Sequence, residues 1–220
     1  MSPDHRLTPR TERHARTLIS SAVDTAPIGT STWSWRLGYL LARGAIMGTV
    51  LVRPLVAGDR SWTDSALSRV WGSTSVARKG ELVDAAELPG FAAIVDGQPV
   101  GLATYASRGR DLEVVTVHSE QEGRGVGRAL MDAVLHHAQH LGAQRIWLVT
   151  TNDNIRALRF YQQWGMDLVA LNRDGVAKSR TVKPSIPTIG AHQIPVRHEL
   201  ELELKLRPTE PSRTAGRRPE

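Results

Sequence analysis

No cysteine occurs among the 220 residues, which excludes disulfides, thiolate metal sites and a cysteine nucleophile. A chain without disulfides fits a reducing cytoplasm, the location we expect. An uninterrupted apolar run of membrane length is also missing. The most apolar early stretch, WSWRLGYLLARGAIMGTVLVRPLVAG, is broken by Arg36, Arg43 and Arg53, each costly inside a bilayer. We therefore expect no membrane partner. The start lacks the ordered charge, apolar block and small-residue cleavage site of a secretory signal. The body of the chain has no charge excess either. In residues 1–46 six Arg stand against Asp4, Glu12 and Asp24, and in 207–220 four Arg stand against Glu210 and Glu220. The tails thus hold nearly all of the formal net charge of +6. A nucleic-acid partner is not expected for the body, and binding through the Arg-rich tails would fall steeply with salt.

Residues 1–46 are rich in Arg, Ser and Thr with little periodicity, and read as a poorly ordered extension with a short helix near 35–45. Met47, just before the first good strand, is a second candidate start. From there to 206 the chain reads as one domain, followed by a Pro- and Arg-rich disordered tail, 207–220. Strands are expected at 49–55, 111–119, 144–151 and 166–172, with a hairpin over 91–107 turning at Asp96-Gly97. Helical spacing marks 59–72, 124–141 and 152–165, the last capped by Asn152 or Asp153 and stopped by Gly165. Residues 73–90 read as loop with a helix around 79–88. HELELELKL (198–206) alternates strictly, as a half-buried antiparallel strand does. Glu199, Glu201 and Glu203 would form its wet face, and the strand could pair across a homodimer. The order implies one mixed α/β domain.

EGRGVGRAL (122–130) puts three glycines and two arginines at a strand-to-helix turn. Such a turn points unpaired backbone N–H groups at one spot, and the helix dipole adds about half a positive charge. Gly123, Gly125 and Gly127 admit a ligand close to the main chain, and Arg124 and Arg128 add charge. A phosphate or pyrophosphate suits this site; tight packing alone is the other reading. The dinucleotide fingerprint fails because Leu130 stands where its last glycine would, and no Gly-Lys-Ser/Thr exists for a P-loop.

VHSEQEGRGVGRAL followed by NDNIRALRFYQQWGMDLV resembles the GNAT superfamily of acyl-CoA N-acetyltransferases. The first stretch matches the pyrophosphate loop Q/R-x-x-G-x-G/A. The second matches N-x-x-A-x-x-x-Y-x-x-x-G-F through Asn154, Ala157, Tyr161 and Gly165, with Met166 in the Phe place. Glu122 replaces the usual Gln or Arg, as in a similar-looking bacterial branch of the family. The resemblance spans about 49–206. It implies a mostly antiparallel twisted sheet flanked by helices, and acetyl-CoA as acyl donor with no metal. The pyrophosphate would lie on Glu122, Gly123, Arg124, Gly125, Val126, Gly127 and Arg128. The pantetheine arm would pair with the strand edge at Val115–Val117, and Asn154 would bond the donor or cap its helix. A small-molecule or peptide primary amine would attack the thioester directly in a ternary complex. Glu113, with Asp111 second, would serve as base, and Tyr161 would protonate the leaving thiolate. The alternative is a catalytically silent GNAT module that binds CoA or a protein.

His136 and His140 stand four apart but lack an H-E-x-x-H acid, so they read as a solvated face. Arg173, Lys178, Arg180, Lys183, His192 and Arg197, stiffened by three prolines, could line an acceptor site that favours a carboxylate or phosphate.

Overall fold

A computed structural model describes residues 50–206. The expected extension, its short helix near 35–45, Met47 and the tail lie outside the described residues. Turn chemistry sets the first elements. Strand β1 (Leu51–Pro54) stops at its proline, which has no N–H to extend the ladder. Helix α1 (Arg60–Trp71) ends at Gly72 in the left-handed region. Strands β4 (Gly90–Val95) and β5 (Gln98–Arg108) join through Asp96 and Gly97, both at positive φ, as a tight hairpin of this hand requires.

Strand β6 (Asp111–Ser119) leads through the glycine turn into helix α2 (Val126–His140). Then follow β7 (Arg145–Thr151), helix α3 (Ile155–Trp164) and β8 (Asp167–Asn172). Asn154 caps α3 by accepting from Ala157 N–H, whereas Asn152 and Asp153 were the expected caps. Those two side chains instead hold residues 190–198, with Asn152 accepting from the N–H of Arg197 and His198 and Asp153 from that of Ala191.

Two regions differ from expectation. Residues 73–90 form a second, two-stranded sheet, β2 (Ser75–Arg78) and β3 (Glu81–Asp84), turning at Lys79 and Gly80. Both turn residues have positive φ, so Lys-Gly acts as a two-residue hairpin turn, and of the helix expected around 79–88 only a 3-10 turn, Ala85–Glu87, forms. The Pro-bearing segment begins with helix α4 (Gly175–Val182), which packs on this hairpin.

The last strand, β9 (Glu199–Lys205), lies between β7 and β8 in the sheet order β1-β4-β5-β6-β7-β9-β8. Every neighbouring pair is antiparallel except β6 with β7. Its glutamates are not a wet face. Glu199 is 3% exposed and Glu203 9%, because the hairpin turn, α4 and Arg145 cover them.

The sheet separates two apolar clusters. Leu130, Met131 and Val134 of α2 and Tyr161 of α3 pack on one face with Ala103 and Val114. Ala66 and Leu67 of α1 pack on the other with Leu102 and Val115. Alternate side chains of a strand point to opposite faces, so α2 and α3 share one side and α1 takes the other. Among the described residues no helix is long and apolar enough to cross a membrane.

Candidate active site

Strands β6 and β7 pair in parallel only from Asp111–Glu113 to Arg145–Trp147. Beyond that they diverge. On the other side of β6, Thr104 sits opposite Thr116 and Tyr105 opposite Val114, so Val115 is an extra, bulged residue. A bulge bends its strand and increases local twist, which turns β6 away from β7. From Val114 onward the edge of β6 toward β7 offers N–H and C=O groups without a strand partner.

A cleft of about 470 Å3 opens in this gap. Val115, Thr116 and Val117 of β6 form one wall, and Val149–Thr151 of β7 the other. Asn154, Ala157 and Tyr161 reach it from α3, while Trp71 at the end of α1 and Arg78 of β2 reach it too. Because α3 and α1 lie on opposite faces, the cleft passes through the sheet.

The glycine turn follows directly on β6 and stands outside the cleft walls. Gly123 and Gly125 have φ of 73° and 77°, and a Cβ on either would meet nothing within 4 Å. Glycine is thus required there by the backbone conformation, not by packing. Gly127 differs: its Cβ would come 3.3 Å from the Phe160 ring, so α2 packs closely on α3. No side chain caps α2, leaving its first N–H groups available to a ligand. The Val126 side chain is buried in the core, so only its backbone could serve. Arg128 is exposed, and Arg124 donates to Gln121. The Glu122 carboxylate contacts Arg156 of α3, which answers its negative charge beside the loop.

The expected catalytic groups separate. Tyr161 lines the cleft, is 9% exposed, and burial raises its phenol above the usual range. Asn154 lines the cleft as well as capping α3. Glu113 lines it at 1% exposure, but Oε1 accepts from Arg78 Nε at 2.7 Å, and Oε2 accepts from Arg78 Nη2 at 2.9 Å and Arg108 Nε at 3.1 Å. Asp111 is not among the cleft walls; it accepts from Arg145 Nε at 2.7 Å. Arg145, also bonded to Glu201 and Glu203, is held still more firmly in its charged form by these acids. Arg78 was not expected in the site: it lies on a four-residue strand, too short for its alternation to be read, and meets Glu113 only through the fold.

Of the six basic residues in 173–197, Lys183 alone lines the cleft. Arg180 is taken by the carbonyls of Ile186, Pro187 and Val196 and so fixes the loop after α4. His136 and His140 are exposed on α2. His118 is half-buried against Trp71, and desolvation lowers its pKa, favouring the neutral ring.

Comparison with known proteins agrees with this geometry. Residues 59–166 match the acetyltransferase (GNAT) family. An uncharacterised Bacillus subtilis protein, YdhI, is 38% identical over 131 residues, covering 59% of this chain and 82% of its own. The structure of a GNAT family acetyltransferase from Elizabethkingia anophelis with acetyl-CoA bound superposes with a TM-score of 0.52 at 15% identity, covering 71% of this chain and 98% of that one. The ribosomal-protein-S18-alanine N-acetyltransferase of Escherichia coli gives 0.53 at 12% identity, covering 76% and 100%. The chain belongs to the GNAT family and is an acyltransferase.

Proposed function

We propose that the protein transfers an acetyl group from acetyl-CoA to a primary amine by direct attack in a ternary complex. The observation that carries this reading is the cleft crossing the sheet at the β6–β7 gap, with an uncapped glycine turn next to β6. The residues fit the donor. Bare N–H groups of Gly123 to Arg128 suit a pyrophosphate, and the open edge at Val115–Val117 suits the amides of a pantetheine arm, as an added strand. When bound, acetyl-CoA supplies the activated acyl carbon. The E. anophelis relative, whose structure holds acetyl-CoA, and the E. coli one, named for an alanine acceptor, support the same class of reaction.

The chain's own residues then handle protons. A lysine-like amine is neutral in only about one molecule in a few thousand at pH 7. Glu113 was expected to take its proton, yet both carboxylate oxygens already accept from guanidiniums. We assign Glu113 to holding Arg78 on the acceptor wall, and water in the cleft to removing the amine proton. Tyr161 keeps its own proton through the working pH range, since burial raises its pKa, and passes it to the leaving thiolate, the phenol being restored by the proton that cleft water took from the amine.

The direct test is thiol release from acetyl-CoA with a panel of primary amines, compared with CoA binding. Amine-dependent release is expected. Binding without release for any amine would instead support the silent-module reading.

A further inference from the structure

Of the charged side chains lining the cleft, Arg78 and Glu113 form ion pairs, and the other two carboxylates, Asp153 and Glu199, accept hydrogen bonds from neutral donors. Arg78 faces Glu113 and Glu81, and Glu113 faces Arg78 and Arg108. Asp153 accepts from Thr151 Oγ1 and the Ala191 N–H. Both oxygens of Glu199 are taken, by the Lys79 N–H, Ser179 Oγ and Asn172 Nδ2.

Lys183 is the cleft cation that has no carboxylate partner among the described residues. Its Nζ donates to the Trp71 carbonyl at 2.7 Å and the Ser75 carbonyl at 2.5 Å. An ammonium has three N–H donors, so one is left over. Burial lowers the pKa of this lysine, and no neighbouring carboxylate offsets that effect among the described residues. Its two carbonyl partners belong to α1 and β2, on the side of the sheet away from α2 and α3. The cation therefore stands at the end of the cleft where the acceptor would enter.

We propose that Lys183 binds an anionic group on the acceptor, so that the substrate is an amine carrying a carboxylate or a phosphate. This rests on the transfer reading above. A part-buried ammonium with one unused donor gains a charge-assisted hydrogen bond from such a group, and an amine without an anionic group offers none. Selectivity therefore comes from one side chain, not from the general positive charge of the segment.

The test measures binding to the full-length enzyme saturated with CoA, by calorimetry, using matched pairs. These are β-alanine against ethylamine, phenylalanine against phenethylamine, and phosphoethanolamine against ethanolamine. The anionic member of at least one pair should bind about tenfold tighter or more. Carboxylate and phosphate are told apart by which pair responds. Lys183→Met should shrink that ratio toward one, and Lys183→Arg should retain it. If Lys183→Met does not fold, the wild-type and Lys183→Arg ratios decide. Equal binding within every pair, no binding of any anionic member, or a ratio unmoved in Lys183→Met would overturn the proposal. A failure of CoA itself to bind would be visible first, and would remove the transfer reading along with it.

Discussion

Tyr161 and Glu113 line the same cleft and are both buried, yet their surroundings give them different work. The tyrosine is shielded by apolar neighbours, which raises its pKa above the ordinary phenol value of about 10. The phenol therefore stays protonated at any working pH, and on the proposed reading its O–H meets the leaving thiolate. Tyr161→Phe should therefore lower kcat about 10²-fold, within the span typical of a lost general acid. The KM for acetyl-CoA should stay within about twofold. Full turnover by the variant would dismiss the role. In the wild type, kcat/KM should climb from pH 7 toward 9 as the amine loses its proton, with no decline from Tyr161 below about pH 10. Glu113→Gln separates two mechanisms. A base would contribute a limb of the pH–rate profile that the variant abolishes. A partner for Arg78 predicts a profile of unchanged shape, displaced downward. It also predicts a stability loss on the order of 3 kcal/mol in urea melts, because a buried guanidinium loses its carboxylate.

Between elements, Arg53 of β1 and Asp59 at the start of α1 form a bidentate pair at 2.6 and 2.8 Å, and Asp59 also accepts from the Val56 N–H. The side-chain bond to Arg53 is the main cause lowering the pKa of Asp59. A depressed carboxylate contributes stability above its unfolded pKa of about 3.9, and that contribution is lost as pH falls through the folded value. Asp59→Asn should cost about 1–3 kcal/mol at pH 7, and the gap from wild type should narrow below about pH 4. A gap of equal size at pH 7 and pH 3 would contradict the assignment.

Elements were legible where periodicity and turn residues agreed. β6 was expected at 111–119 and runs over Asp111–Ser119, because its apolar run is long and the glycine turn ends it. β2 and β3 were not legible as strands, since four residues each leave too short an alternation, and only Lys79-Gly80 marked them. β9 was found, but its glutamates were assigned to solvent. Alternation fixes which side chains share a face, and says nothing of whether a distant hairpin and helix will cover that face. For the same reason the loop glycines and Tyr161 could be picked out locally, whereas Arg78, brought to Glu113 across 35 positions of sequence, could not.

At the scale of the whole molecule, the arrangement divides the labour between the faces of one sheet. The α2–α3 side presents the uncapped helix and Tyr161, and the other side presents Trp71, Arg78 and Lys183. The bulge at Val115 and the short parallel pairing of β6 with β7 open the passage joining them. On the proposed reading the donor and the acceptor come from opposite faces, so a ternary complex is expected. Its affinity for the donor should depend on the backbone of the glycine turn more than on any side chain.

Calorimetric titration of CoA into the wild type and a Gly125→Ala variant measures this dependence directly. Alanine at a φ of 77° is strained by about 1–2 kcal/mol, and its methyl group would project into the open space beside the turn. Saturable one-to-one binding to the wild type is expected, weakened at least about tenfold in the variant, with the fold retained by circular dichroism. No heat on adding CoA to the wild type, or equal affinity in the two proteins, would contradict it.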